Sequence, residues 1–128
     1  MRVLKMALIV FGVIHILLGL AFILAPNQTA TMMGFGEIGE PAVYIAAICG
    51  VTFIAASVWL IVIARDPLKH ITWVKFAILW PLLGIVVQLY LVVQGVVDFG
   101  QAGLGIIDDA VFAVVFLAFY PYRAIRSG

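Results

Sequence analysis

Four apolar stretches, at about residues 3–25, 42–64, 76–97 and 104–122, take up most of this 128-residue chain, and three of them contain charge-free runs near 20 residues. That length is what a bilayer demands. A hydrocarbon core about 30 Å thick is crossed by about 20 residues rising about 1.5 Å each. Only 10% of the residues are charged and 66% are hydrophobic, against about a quarter charged in soluble domains. In lipid the backbone has no water to bond to, so each stretch is predicted to be a helix. The short alternating segments of a β-barrel are not visible. The reading is an all-α, integral membrane four-helix bundle, a single transmembrane domain over residues 1–128 with no room for a soluble one.

The charges are sorted along this pattern. Arg2 and Lys5 stand at the start of the first stretch, Arg65, Lys69 and Lys75 between the second and third, and Arg123 and Arg126 after the fourth. The other two connections hold Glu37, Glu40 and Asp98 and no basic residue. In short loops, basic residues stay on the cytoplasmic side. The expectation is an up-down-up-down bundle in the cell inner membrane, multi-pass, with N- and C-termini cytoplasmic. Arg2 and Lys5 ahead of an apolar run resemble a signal peptide, but the run is too long for one, so a retained first span is expected.

Breaks are marked by Pro26, by Pro41 at the start of the second helix and by Asp66-Pro67 at its end. Pro81 lies inside the third helix, where a kink is expected. The glycine-containing segment 98–105 reads as a loop, with the fourth helix starting after it. Small residues, which let lipid-embedded helices approach closely, occur at Gly12, Gly19, Ala46, Gly50, Ser57, Gly84 and Gly95. Their number on the second helix makes a homo-oligomer plausible. Cys49 is the single cysteine, so a cysteine metal site and an internal disulfide are excluded; a buried packing role is expected for it. No basic run is dense enough to make nucleic acid a partner.

Ionisable groups in lipid are costly and ask for a reason. His15 lies ten residues beyond Lys5, about 15 Å in and near the midplane. Asp109 lies fourteen residues before Arg123, about 21 Å from that same boundary. Gln88 falls near the depth of His15, and Gln94 nearer the acids. These positions predict an outward-opening binding pocket lined by His15, Gln88, Gln94 and Asp109, with Tyr44 near its rim and a His15–Asp109 hydrogen bond within reach. No lysine or arginine accompanies Asp109 on that half, so it awaits a proton, water or a cation. The plainer alternatives are that His15 and the glutamines are interhelical packing groups, and that Asp108 and Asp109 satisfy free donors in the first turn of the fourth helix.

No catalytic residue is assigned and no metal site is expected. His70 belongs to a loop, so two-histidine haem ligation fails, and no hydrolase constellation, phosphate loop or zinc spacing is visible. No cofactor is required by the residues; a quinone or pigment is compatible with them. The run Phe11-Gly12-Val13-Ile14-His15-Ile16-Leu17-Leu18-Gly19-Leu20, continuing to Ala25-Pro26, together with Ala64-Arg65-Asp66-Pro67, resembles the DoxX-like small four-helix bacterial membrane proteins. The resemblance implies a four-helix fold of this size, and some relatives are linked to quinol-oxidising complexes. Three functions are weighed. The leading one is a non-catalytic subunit or a lipid- or hydrophobic-ligand-binding protein, whose partners are the lipid bilayer and a homo-oligomer or larger membrane complex. The second is a small proton- or cation-coupled transporter using His15 and Asp109. The third is a quinone-linked oxidoreductase subunit.

Overall fold

The computed structural model describes residues 1–126. Within them the order is α1 (Arg2–Leu24), α2 (Pro26–Met32), α3 (Glu40–Ile63), α4 (Ile71–Val93), α5 (Phe99–Ala118) and α6 (Tyr122–Arg126). α1, α3, α4 and α5 are long and apolar enough to cross a membrane. Their outer faces support that reading. Met6, Ile9, Val10, Leu17, Ile48, Val51, Leu79, Leu83, Val86, Val93, Val111 and Val114 are all exposed on the bundle's outside. So continuous an apolar surface is incompatible with water and suited to acyl chains. The protein is a multi-pass membrane protein with an all-helical fold.

Because inside and outside are both apolar, size rather than polarity separates them. On α1 the buried residues are Leu4, Ala7, Leu8, Phe11, Gly12, His15 and Gly19. They recur every three or four positions, the spacing of a seam that packs along its whole length. Against them lie Leu60, Ile63 and Ala64, Val74 and Ala77, and Phe112 and Phe116. All four long helices thus share one core. Phe11 is its centre: its ring meets Trp80, Phe112 and Phe116 edge-on at centroid distances of 5.3, 4.7 and 5.5 Å.

The helices associate as two tight pairs, α1 with α3 and α4 with α5, and the pairs meet more sparsely. Small residues make the first pair. A side chain on Gly19 would strike the Gly50 carbonyl oxygen at 2.6 Å, and one on Gly50 would meet the Gly19 carbonyl in return. Gly12 sits over Ile61 and the Ser57 backbone. Gly12, Gly19, Gly50 and Ser57 are therefore interface residues, as expected. Gly95 is not: it ends α4 with φ +70° and has open space around it. Cys49 differs as well, because it faces outward on α3 rather than into the core. Ser57 is fully buried with its Oγ unpaired among the described residues. Ser57→Ala is therefore expected to leave stability unchanged or raise it by about 1 kcal/mol, read as the midpoint of unfolding in mixed micelles.

The ends of the helices keep the charge sorting. Lys5 Nζ donates to the Arg65 carbonyl at 2.8 Å, which holds the start of α1 beside the end of α3. At the other end Gln101 Nε2 donates to the Gly34 carbonyl at 3.3 Å, and the Ile38 N–H donates to Asn27 Oδ1 at 2.9 Å. Pro26 does not stop helical structure outright. The chain turns at Ala25 and resumes as the two-turn α2, with Pro26 in the first turn where its missing donor costs nothing.

The largest departure from the sequence reading is the start of α5. It begins at Phe99, so residues 99–103 of the expected loop are helical. Asp98 Oδ1 accepts from the Gln101 N–H at 2.9 Å, and the Gln101 side chain accepts from the Asp98 N–H at 3.0 Å. This capping box supplies partners for donors that the helix end leaves free. Asp98→Ala is expected to destabilise the bundle by about 1 kcal/mol and to speed amide exchange selectively in the first turn of α5.

Candidate functional site

His15 is 5% exposed. Its ring stacks on Phe11 at 4.0 Å and meets Trp80 and Phe53 at 5.2 and 5.7 Å. Its Nδ1 lies 2.9 Å from the Phe11 carbonyl oxygen. A carbonyl only accepts, so Nδ1 carries a hydrogen and donates. That leaves Nε2 pointing at Asp108 Oδ2, 3.4 Å away. Two lone pairs facing each other repel. The contact is attractive when a proton resides on the imidazole or on the carboxyl.

Asp109 looks the other way. Consecutive residues on a helix are about 100° apart, so Asp108 faces α1 while Asp109 faces α4. Gln88 Nε2 donates to Asp109 Oδ2 at 2.8 Å and to the Gly84 carbonyl at 3.1 Å. Both glycines here are required by the side chains opposite. A Cβ on Gly84 would collide with the Asp109 carboxylate, and one on Gly105 with Gln88 Oε1. The pairing is thus His15 with Asp108 and Gln88 with Asp109, in place of the expected His15–Asp109 bond. Because α5 starts at Phe99, both acids lie in its third turn, beyond the reach of free backbone donors. They are not first-turn acids, in contrast to the plainer alternative.

These groups line one cavity of about 260 Å³, together with Phe22, Phe53, Trp80 and Met33. An apolar cleft of about 410 Å³ opens between α3 and α4, and Phe53, Trp80, Gly84 and Val87 line both spaces. The pocket, polar at its His15, Gln88, Asp108 and Asp109 end, therefore adjoins a groove on the lipid-facing surface, at the seam where the two helix pairs meet loosely. Of the predicted site residues, the structure brings together His15, Gln88 and Asp109. It does not bring Gln94 or Tyr44. Gln94 caps the end of α4, which stops at Val93 rather than near 97 because Gly95 takes the left-handed conformation. Tyr44 is 69% exposed on the outside of α3.

Sequence reasoning noticed Asp108 but weighed it as a helix-end group rather than a pocket residue, and it missed Phe53 and Trp80. A signal existed for the first: the Asp98-x-x-Gln101 spacing marks a helix start, and counting from there puts Asp108 in the third turn, away from the free donors of the helix end. For the two aromatics no signal existed, since membrane helices carry such residues on every face. Among the described residues, no group of three or more histidine, cysteine, aspartate or glutamate side chains is arranged to hold a metal ion. No protein-family model matches the chain, and no curated protein or solved structure matches it significantly.

Proposed function

We propose that this is a non-catalytic binding protein of the bacterial inner membrane, which holds a membrane-dissolved amphiphilic molecule with its head at His15, Asp108, Asp109 and Gln88. One observation carries the reading: a polar pocket shares its wall with an apolar cleft that opens sideways between α3 and α4. Lipid-like molecules need both, a wet end for the head and an apolar trough for the body. The basic residues favour an up-down-up-down insertion with N- and C-termini in the cytoplasm, which would open the polar pocket toward the outer half of the bilayer. The DoxX-like resemblance is compatible with a role as an accessory subunit in a homo-oligomer or larger membrane complex.

The direct test is extraction in a mild detergent followed by native mass spectrometry. The expected result is one small amphiphile retained per chain, and its loss in Trp80→Ala with the fold kept by circular dichroism. A chain that is always empty, or one whose bound molecule survives both Trp80→Ala and Asp109→Asn, would sink the reading.

A second reading, a small proton-coupled carrier, is favoured by the His15–Asp108 contact, two ionisable groups 3.4 Å apart between spanning helices, where such pairs mark proton relays. It predicts uptake by purified protein in liposomes that collapses in Asp108→Asn. Binding without any such uptake would leave the first reading alone.

A further inference from the structure

The walls of the pocket select the charge of its ligand, given the binding-protein reading above, on which this inference rests. The charged and titratable groups facing it are His15 from α1 and Asp108 and Asp109 from α5; α3 and α4 contribute Phe53, Trp80 and Gln88, and the end of α2 contributes Met33. Among the described residues, no lysine or arginine lines it. An anionic head would meet Asp108 and Asp109, with only the proton shared by the His15–Asp108 pair to offset them. A neutral head would leave Asp109 with the Gln88 amide as its partner and no opposite charge in a low-dielectric site. A cationic head would answer both. The aromatic rings point the same way. Phe22, Phe53 and Trp80 stand in series, Phe22 to Phe53 at 6.0 Å and Phe53 to Trp80 at 5.7 Å. Such rings present their negative faces to alkylammonium groups, the arrangement that recognises quaternary amines elsewhere.

We infer that the ligand is a single-chain organic cation of the alkylammonium class. Its head sits between the Asp108 and Asp109 carboxylates and the Phe53 and Trp80 rings, and its chain lies in the cleft between α3 and α4. The cavity of about 260 Å³ suits a compact ammonium head. The cleft, walled by Phe76, Leu79, Leu83 and Val87, suits an alkyl chain reaching in from the bilayer. Thr52, the polar residue of the cleft wall, has its hydroxyl bound to the Ile48 carbonyl at 3.1 Å, so the trough offers a chain little but carbon.

Three probes with the same ten-carbon chain and different heads test this: decyltrimethylammonium, decanol and decyl sulfate. Each is titrated calorimetrically into the full chain in nanodiscs of an uncharged galactolipid, with empty discs subtracted. The cation is expected to saturate one site per chain and to bind about tenfold tighter than decanol, with no saturable site for decyl sulfate. Asp108→Asn and Asp109→Asn are each expected to weaken the cation about tenfold and so to erase its advantage over decanol. The wild-type comparison needs no variant to fold, and helical content and elution volume check the variants. Equal binding of cation and decanol, or cation binding untouched by both substitutions, overturns the inference while the binding-protein reading stands. No saturable binding of any of the three probes overturns both.

Discussion

Replacing Gly19 by leucine is expected to take apart the α1–α3 pair. The added side chain would drive its Cβ to 2.6 Å from the Gly50 carbonyl oxygen and 2.8 Å from Ile54 Cγ1. A flexible side-chain tip can swing away, but a helix backbone cannot, so the helices must separate along the seam. Overpacking of this kind costs about 1–3 kcal/mol and sometimes more. The larger end is expected here, because interhelical association in lipid rests on close packing rather than on exclusion of water. The midpoint of unfolding in mixed micelles reads the effect. Gly50→Leu should match it, and the double variant should cost less than the sum, since both changes destroy one contact. Gly103→Ala is the control. That glycine is helical with open space where a Cβ would go, so the change should be neutral or stabilise by about 0.5–1 kcal/mol. Equal loss in Gly19→Leu and Gly103→Ala would show that the crossing point has no special weight.

Removing the amide of Gln88 has the second-largest expected effect. Gln88 gives its Nε2 hydrogens to Asp109 Oδ2 and to the Gly84 carbonyl. Gln88→Leu leaves the carboxylate facing carbon, a loss of about 1–3 kcal/mol for an orphaned polar partner. If the cost comes from that orphaned acid, adding Asp109→Leu should restore most of the stability, because apolar replacement of both partners is nearly neutral. The double-mutant cycle therefore separates the hydrogen bond from mere packing. Strictly additive losses would show that the two side chains do not act as a unit. The same double variant, stable but without its acid, is also expected to retain no amphiphile in native mass spectrometry. Stability and ligand holding thus come apart at this one pair.

The hydrogen-bond pattern gives the pocket its division of labour. Asp109 is held by α4 and keeps the α4–α5 pair in register, as the collision of any Gly84 side chain with its carboxylate indicates. Asp108 instead reaches across to His15 on α1, between the two tight pairs. A ligand head arriving between the carboxylates would therefore touch both pairs. Under the proposed function, occupancy would couple to how firmly the pairs close on each other, and bound ligand should raise the unfolding midpoint.

Much of this molecule follows from the order of its residues. Four spans of bilayer length, their separation by prolines and charges, and the interface roles of Gly12, Gly19, Gly50 and Ser57 come from the need to satisfy every backbone group in lipid and to let helices approach. His15, Gln88 and Asp109 stood out for the same kind of reason: polar groups at that depth need partners. Which partner each one took was decided by tertiary structure. A capping box set the start of α5 at Phe99, which left both acids inside the helix rather than in its first turn. A left-handed Gly95 ended α4 before Gln94 could face inward. Tyr44 and Cys49 turned outward because α3 presents Gly50 and Ser57 to α1 instead. In water, polarity marks which side of a helix faces in. Between acyl chains and a carbon-rich core that contrast vanishes, so orientation is fixed by shape complementarity, which exists only once the helices meet.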